Sequence, residues 1–312
     1  MQGAIAGIST IWVVIGVGWL IAQLGLVNTR GRRMMSMLAF TVGSPALLFA
    51  LVSRASLDHV FSLTVVVSAL AMAASGLAYL LVAGLSFKPT LGGSVIGFMA
   101  SSYTNAANFG LPVALALLGD ATWMAPILLL QVAVIMPVCL ALLDVAGARA
   151  SGVRLSPARY LSLPVRNPIT IAILAGLAVN LTGLRIPEVV WAPIEMIGGT
   201  AVPLMLMAFG VSLRLDPLPG RGAHRAQGWF AVLLKVVGHP LAAYLVGRSF
   251  GLTGADLYAV VVLGALPAAQ NVHVIATRYA ESELLARDVV FWSTILSVAS
   301  LLVVAATLGP SG

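Results

Sequence analysis

Charge is scarce in this chain. Asp, Glu, Lys and Arg make up 9% of its 312 residues while 60% are hydrophobic, against about 25% charged in a soluble protein. So little polar surface excludes a soluble globule. Cysteine is scarcer still: Cys139 stands alone, which excludes an intrachain disulfide and a Cys-based zinc site. In its apolar segment it reads as a small core residue. No Lys or Arg precedes Arg30. The basic region of a cleavable signal peptide is therefore missing, and the first apolar run is expected to stay as a membrane span. No phosphate-binding loop, no metal-spaced His or Cys group and no Ser-His-Asp grouping is found. That argues against an ATP-driven pump and against an enzyme, and no cofactor is expected. The net charge of +7 does not point to nucleic acid, because the basic residues sit in short loops and form no continuous stripe.

What is there in quantity is apolar sequence. Uncharged runs recur along the whole chain, many near the roughly 18–20 residues that span a bilayer. Ten spans are read, at 4–27, 34–53, 60–84, 92–118, 124–146, 167–185, 192–213, 228–248, 257–277 and 288–308. Backbone groups in lipid must bond within their own segment, so the spans are helices and the fold class is an all-α membrane protein. Trp123, Trp191, Trp229 and Trp292 fall near span ends, where an interfacial aromatic belt would sit.

The loops set an orientation. Those after odd-numbered spans hold 13 basic residues, among them Arg30, Arg32, Arg33, Arg278 and Arg287; the others hold only Arg54, Arg185 and Arg248. The positive-inside rule then expects the odd loops in the cytoplasm and both termini outside. The longest connection divides the chain into 1–147, a cytoplasmic loop at 148–166, and 167–312. Each half has five spans, an odd number, so the second half is expected to be inverted relative to the first. Thr41-Val-Gly-Ser-Pro45 in span 2 and Thr200-Ala-Val-Pro203 in span 7 occupy matching positions.

Spans 4 and 9 are interrupted. Span 4 reads Tyr103-Thr-Asn105-Ala-Ala-Asn108-Phe-Gly110-Leu-Pro112, and span 9 reads Gly264-Ala-Leu-Pro267-Ala-Ala-Gln270-Asn271-Val-His273. Proline removes a backbone donor and clashes with the preceding turn. Broken helices at matching places in two inverted halves are the sequence mark of a transporter binding site. These segments, with Arg166-Asn167-Pro168 and Pro203 through Gly210 to Leu213, resemble the auxin efflux carrier family over nearly the whole chain. The resemblance implies ten helices in two inverted five-helix repeats, a scaffold part and a crossover part, and helices 4 and 9 unwound where they cross. It relates the chain to the bile-acid sodium symporter superfamily. It implies small organic anions as substrates, carboxylates of the auxin or malate and malonate kind. The short central loop fits a bacterial-type member, expected in the inner (plasma) membrane.

Candidate site residues follow from the interruptions. Amides of Asn105 and Asn108 can hold a carboxylate, or cap broken helix ends. Gln270, Asn271 and His273 stand at the second break; Asn271 matches the Asn of the family's Pro-x-x-x-Asn stretch. His273 can relay protons or make a structural hydrogen bond. Gly110, Pro112 and Pro267 shape the breaks and orient half-helix ends, whose N-termini favour anions. Lys235 is deep in an apolar run, with His239 one turn on; it can attract an anion or pair with a buried acid, Asp144 and Glu195 being the sequence candidates. Thr41 and Thr200 can contact ligand or bond back to their own helix. Gln131 and Asn180 are expected to make interhelical hydrogen bonds.

The reading is a secondary transporter of small organic anions working by alternating access in the lipid bilayer. H+ and Na+ both stay open as coupling ions, with Asn105, Gln270, Asn271 and Thr104 as oxygens for sodium. A non-transporting ligand sensor on the same fold is the alternative of another class. A homodimer is compatible with all of these readings.

Overall fold

The structure is a computed structural model describing residues 2–55, 62–151, 167–222 and 224–309, with no side chains described for residues 2–8, 112 and 121. Arg154, Arg159 and Arg166, most of the connection at 148–166 and the side chain of Pro112 therefore lie outside the described residues.

Among these residues the chain forms twelve helices: α1 (Gln2–Gln23), α2 (Thr29–Ser53), α3 (Leu63–Ser86), α4 (Leu91–Ser102), α5 (Ala106–Leu117), α6 (Met124–Ala150), α7 (Pro168–Thr182), α8 (Glu188–Leu215), α9 (Arg225–Ser249), α10 (Gly254–Ala265), α11 (Gln270–Tyr279) and α12 (Glu283–Leu308). Six of them, α2, α3, α6, α8, α9 and α12, are long and apolar enough to cross a membrane. The protein is thus an all-helical membrane protein, and each of the ten apolar runs has become one rod or a pair of short rods.

Four of the helices contain a single widened turn with π-type bonding, at Ala39–Gly43, Ala106–Gly110, Gln131–Ile135 and Leu234–Gly238. A proline follows each turn as the second residue of the next helical stretch: Pro45, Pro112, Pro137 and Pro240. Counting back four from each proline lands on the middle of the widened turn. The proline ring has no N–H for that residue's carbonyl and would clash with it, so the helix opens one residue wider there. The carbonyl set free at Val236 accepts from the Ser300 hydroxyl at 2.8 Å.

The helices pack as two groups. α1, α2, α7 and α8 make up one, α3, α4, α6, α9, α10 and α12 the other, with α5 and α11 lying between them. Small residues bring the first group's backbones together. A Cβ on Gly210 would stand 2.0 Å from the Ile15 carbonyl, and one on Gly18 2.3 Å from that of Met207. One on Gly198 would stand 2.9 Å from the Leu47 backbone, while one on Gly16 or Gly199, also expected at packing seams, would meet no atom within 4 Å.

Trp191, in the first turn of α8, is packed inside the protein at 4% exposure. Its indole N–H donates to Glu195 at 2.7 Å, and Arg54 lies over its ring at 3.9 Å. Arg32 and Arg287, counted as loop residues, are buried at the ends of α2 and α12, because acidic residues gather on them: Asp216 and Glu283 on Arg32, the adjacent Asp288 and Asp216 on Arg287.

Candidate functional site

α4 stops at Ser102 and α10 at Ala265, and the chain after each runs extended for a few residues. The two extended stretches meet antiparallel, with Thr104 opposite Ala268. The Asn105 N–H donates to the Pro267 carbonyl at 2.9 Å, and the Ala269 N–H to the Tyr103 carbonyl at 3.3 Å. The outward-facing amides are satisfied by side chains: Thr104 N–H donates to Gln131 Oε1 at 3.0 Å and Ala268 N–H to Ser293 Oγ at 3.1 Å. Unwound backbone in an apolar interior costs several kcal/mol per unbonded group unless every N–H finds a partner. Gln131 and Ser293 supply those partners here. Proline at 267 fits because that residue has no N–H to satisfy.

Four helix ends therefore converge. The C-termini of α4 and α10 arrive, and the N-termini of α5 and α11 leave. A helix N-terminus carries the equivalent of about +0.5 charge. The first turns of α5 and α11 help line a cavity of about 90 Å³ containing Asn105, Asn108, Gln270 and Asn271. One water needs only ~15 Å³ on this measure, so the space admits a small ligand or several waters. Most of the remaining wall is apolar, from Phe40, Leu47 and Leu51 of α2, Val132 and Met136 of α6 and Met205 of α8. Ser44 is the polar residue that α2 contributes.

The amides are ordered by one another. Asn105 Nδ2 donates to Gln270 Oε1 at 2.6 Å, and Asn105 Oδ1 accepts from the Asn108 N–H at 3.2 Å. Gln270 Nε2 and Asn271 Oδ1 are buried with no partner in the protein. A buried polar group left in that state costs roughly 1–3 kcal/mol, and a ligand oxygen at Gln270 Nε2 would remove that cost.

Lys235 and His239 do not line this cavity. Lys235 is fully buried; Nζ donates to Thr104 Oγ1 at 3.0 Å and shares a hydrogen bond of 2.7 Å with His239 Nδ1. Among the described residues no carboxylate pairs with it. The acids named from sequence are engaged elsewhere: Asp144 accepts from the Tyr279 hydroxyl at 2.8 Å, and Glu195 pairs with Arg54 at 2.5 Å.

The other named residues divide. Pro267 stands at the crossing, and the Gly110 N–H donates to the Asn105 carbonyl at 2.8 Å. A Cβ on Gly110 would lie 2.6 Å from Met124 Sδ. His273 is buried outside the cavity wall, edge-on to Phe209 at 5.5 Å, with neither ring nitrogen hydrogen-bonded to a side chain. Thr41 and Thr200 bond back to Met37 and Ile197, each at 2.7 Å, and neither lines the cavity. Asn180 donates to the carbonyls of Val52, Ser53 and Ala55 and so caps the end of α2. Gln131 was expected only as an interhelical amide. Its place on the crossing had one signal, a lone amide four residues before an apolar Ile-Met-Pro run.

The family model "Membrane transport protein" matches residues 4–305. The chain belongs to that family. This membrane transport protein is also 28% identical to a Rhizobium meliloti (strain 1021) protein named "Putative malonate transporter", over 92% of this chain and 90% of that one. Membership makes the chain a transporter with a small-molecule substrate in a lipid environment, not an enzyme.

Proposed function

We propose that this transporter carries small organic anions by alternating access, with the substrate carboxylate held among Asn105, Asn108, Gln270 and Asn271 at the paired N-termini of α5 and α11. The observation that carries the reading is the buried, unpartnered Gln270 Nε2 beside a cavity at two positive helix ends. Counting α4 with α5 and α10 with α11 makes ten spans, as two inverted five-helix halves at 1–147 and 167–312. On this reading α4 and α5, like α10 and α11, are the crossing helices, and Lys235 supplies positive charge behind Thr104. The charge bias of the loops supports an orientation with both termini non-cytoplasmic in a bacterial inner membrane. The relative's name brings malonate, and short carboxylates generally, into the substrate range.

Sodium coupling is the weaker variant. Asn105 Oδ1, Gln270 Oε1 and Thr104 Oγ1 already accept hydrogen bonds, and only Asn271 Oδ1 of the proposed sodium oxygens has no partner. A sensor without turnover would share the same site.

The test is melting of the purified protein against mono- and dicarboxylates, followed by flux into liposomes with and without H+ and Na+ gradients. Malonate or a related carboxylate is expected to raise the melting temperature and to move. Gln270→Leu and Asn271→Ala are each expected to weaken binding about 10-fold or more, the worth of ~1.4 kcal/mol, while the protein still folds. Unchanged affinity in both variants would remove the amides from the site. Binding with no flux would establish the sensor.

A further inference from the structure

Polar links between the two helix groups gather on the face that holds residues 29–33, 216–220 and 278–288. Arg32, on the first turn of α2, pairs with Asp216 just beyond α8, inside one group. It also reaches across to Glu283, the first residue of α12, at 3.4 Å. From the other group, Arg287 lies 4.0 Å from Asp216 and is held by Asp288 at 2.5 Å. Asp288 in turn accepts from the Gly220 N–H at 2.8 Å. Beside this network Asn167 of α7 donates to the Tyr279 hydroxyl of α11 at 3.1 Å. Arg32 and Arg287 are 4% and 0% exposed, so salt does little to screen them.

Buried ion pairs are a poor device for stability alone, because desolvation offsets most of their attraction. They suit a contact that has to open. When the two groups part, each charge regains water. An apolar seam would instead lose about 25 cal/mol per Å² exposed. The network is also short of saturation, since Arg32 Nε and Arg287 Nη1 have no hydrogen-bond partner. The turn before it is tight: Ala280 and Ser282 take left-handed φ of +53° and +49°, and Glu283 follows directly.

We propose that Arg32, Asp216, Glu283, Arg287 and Asp288 form an ionic latch that closes this face of the carrier and is broken and remade in each cycle. The latch rests on the alternating-access reading above. It shuts the Arg-rich face while the cavity is served from the opposite one. Glu283 and Arg287 move with α12, and Arg32 and Asp216 stay with α2 and α8.

Accessibility tests the latch separately from transport. In a Cys139→Ala background, Thr277→Cys places a thiol on α11 close beneath the network, at a site 9% exposed. Labelling by a membrane-impermeant maleimide is followed from each face of sealed vesicles. Slow labelling from the Arg-rich face is expected with the latch intact. Arg32→Gln with Arg287→Gln is expected to speed it about 10-fold, as loss of buried charge partners does. Arg32→Glu alone is expected to label fast, and adding Glu283→Arg to restore the slow rate. If the glutamine pair does not fold, Glu283→Gln, which leaves Arg32 its Asp216 partner, is expected to give a smaller acceleration in the same direction. Unchanged labelling in a folded variant would overturn the latch. Malonate flux is measured in the same vesicles. Labelling that responds to the latch variants while malonate does not move would support the latch and overturn malonate as the cargo.

Discussion

The crossing and the Arg-rich face both join separate parts of the chain through buried polar groups, yet they use different chemistry. At the crossing the partners are uncharged groups: backbone amides, Gln131, Ser293, Asn105 and Gln270, with Lys235 behind them bonded to Thr104 and His239. At the Arg-rich face they are charged, two arginines among three acids. Neutral hydrogen bonds are directional and carry no large desolvation debt, so they hold unwound backbone in one shape. Charged groups regain strong hydration when the partner leaves, which offsets the lost attraction, so they serve where surfaces separate. The contrast teaches where to look for rigidity and where for motion in one membrane protein.

The comparison breaks first at Gln131. Gln131→Leu strips the Thr104 N–H of its acceptor at a fully buried position, and is expected to cost about 1–3 kcal/mol and to abolish flux. A melting curve in detergent reads the first and liposome uptake the second. A wild-type melting temperature would mean the crossing does not depend on that bond. Ser293→Ala does the same to the Ala268 N–H. About 1–2 kcal/mol is expected there, since a small cavity can admit a water to the freed amide. On the charged side, Ala280→Gly relieves a left-handed residue next to the latch. Melting should rise by the equivalent of about 1 kcal/mol, with anion affinity unchanged; a fall would show that the turn is not strained. The smallest effect belongs to Arg54→Gln. That pair with Glu195 is 59% and 46% exposed, so below ~0.5 kcal/mol is expected, shrinking further in high salt. A loss as large as that of Gln131→Leu would erase the distinction between the two kinds of contact.

Much of this was legible in the residues. The ten apolar runs became helices within a few residues of their expected ends, because uncharged length in lipid leaves the backbone no other choice. The break at Leu266–Ala269 followed from Pro267 and the amides after it, but that at Tyr103–Asn105 lies at the amides alone: Gly110 and Pro112, expected to shape it, sit inside helical turns of α5, where a proline at the start of a helical stretch is tolerated. Asn105, Asn108, Gln270 and Asn271 came together at one cavity, as their shared setting implied. What stayed hidden depended on partners distant in sequence. Nothing near Gln131 or Ser293 announces that each faces an unbonded amide on another segment. Arg32 looks like a loop charge until Asp216 and Glu283 arrive from 184 and 251 residues beyond it. Thr41 and Thr200 fitted a repeat pattern, yet a hydroxyl in a helix finds its own preceding carbonyl more cheaply than a ligand.

By itself the amino-acid order determined the solvent of this protein, the lengths and breaks of its helices, and the kind of residue placed at each break. These are local consequences of hydrophobicity, of proline's missing N–H and of short polar side chains. Only the tertiary structure decided which buried amide is left unsatisfied, which side of Thr104 receives the lysine, and which acids meet the two arginines. Those outcomes depend on how separate segments of the chain are packed, and the free energy of a buried polar group is set by the neighbours it finds there.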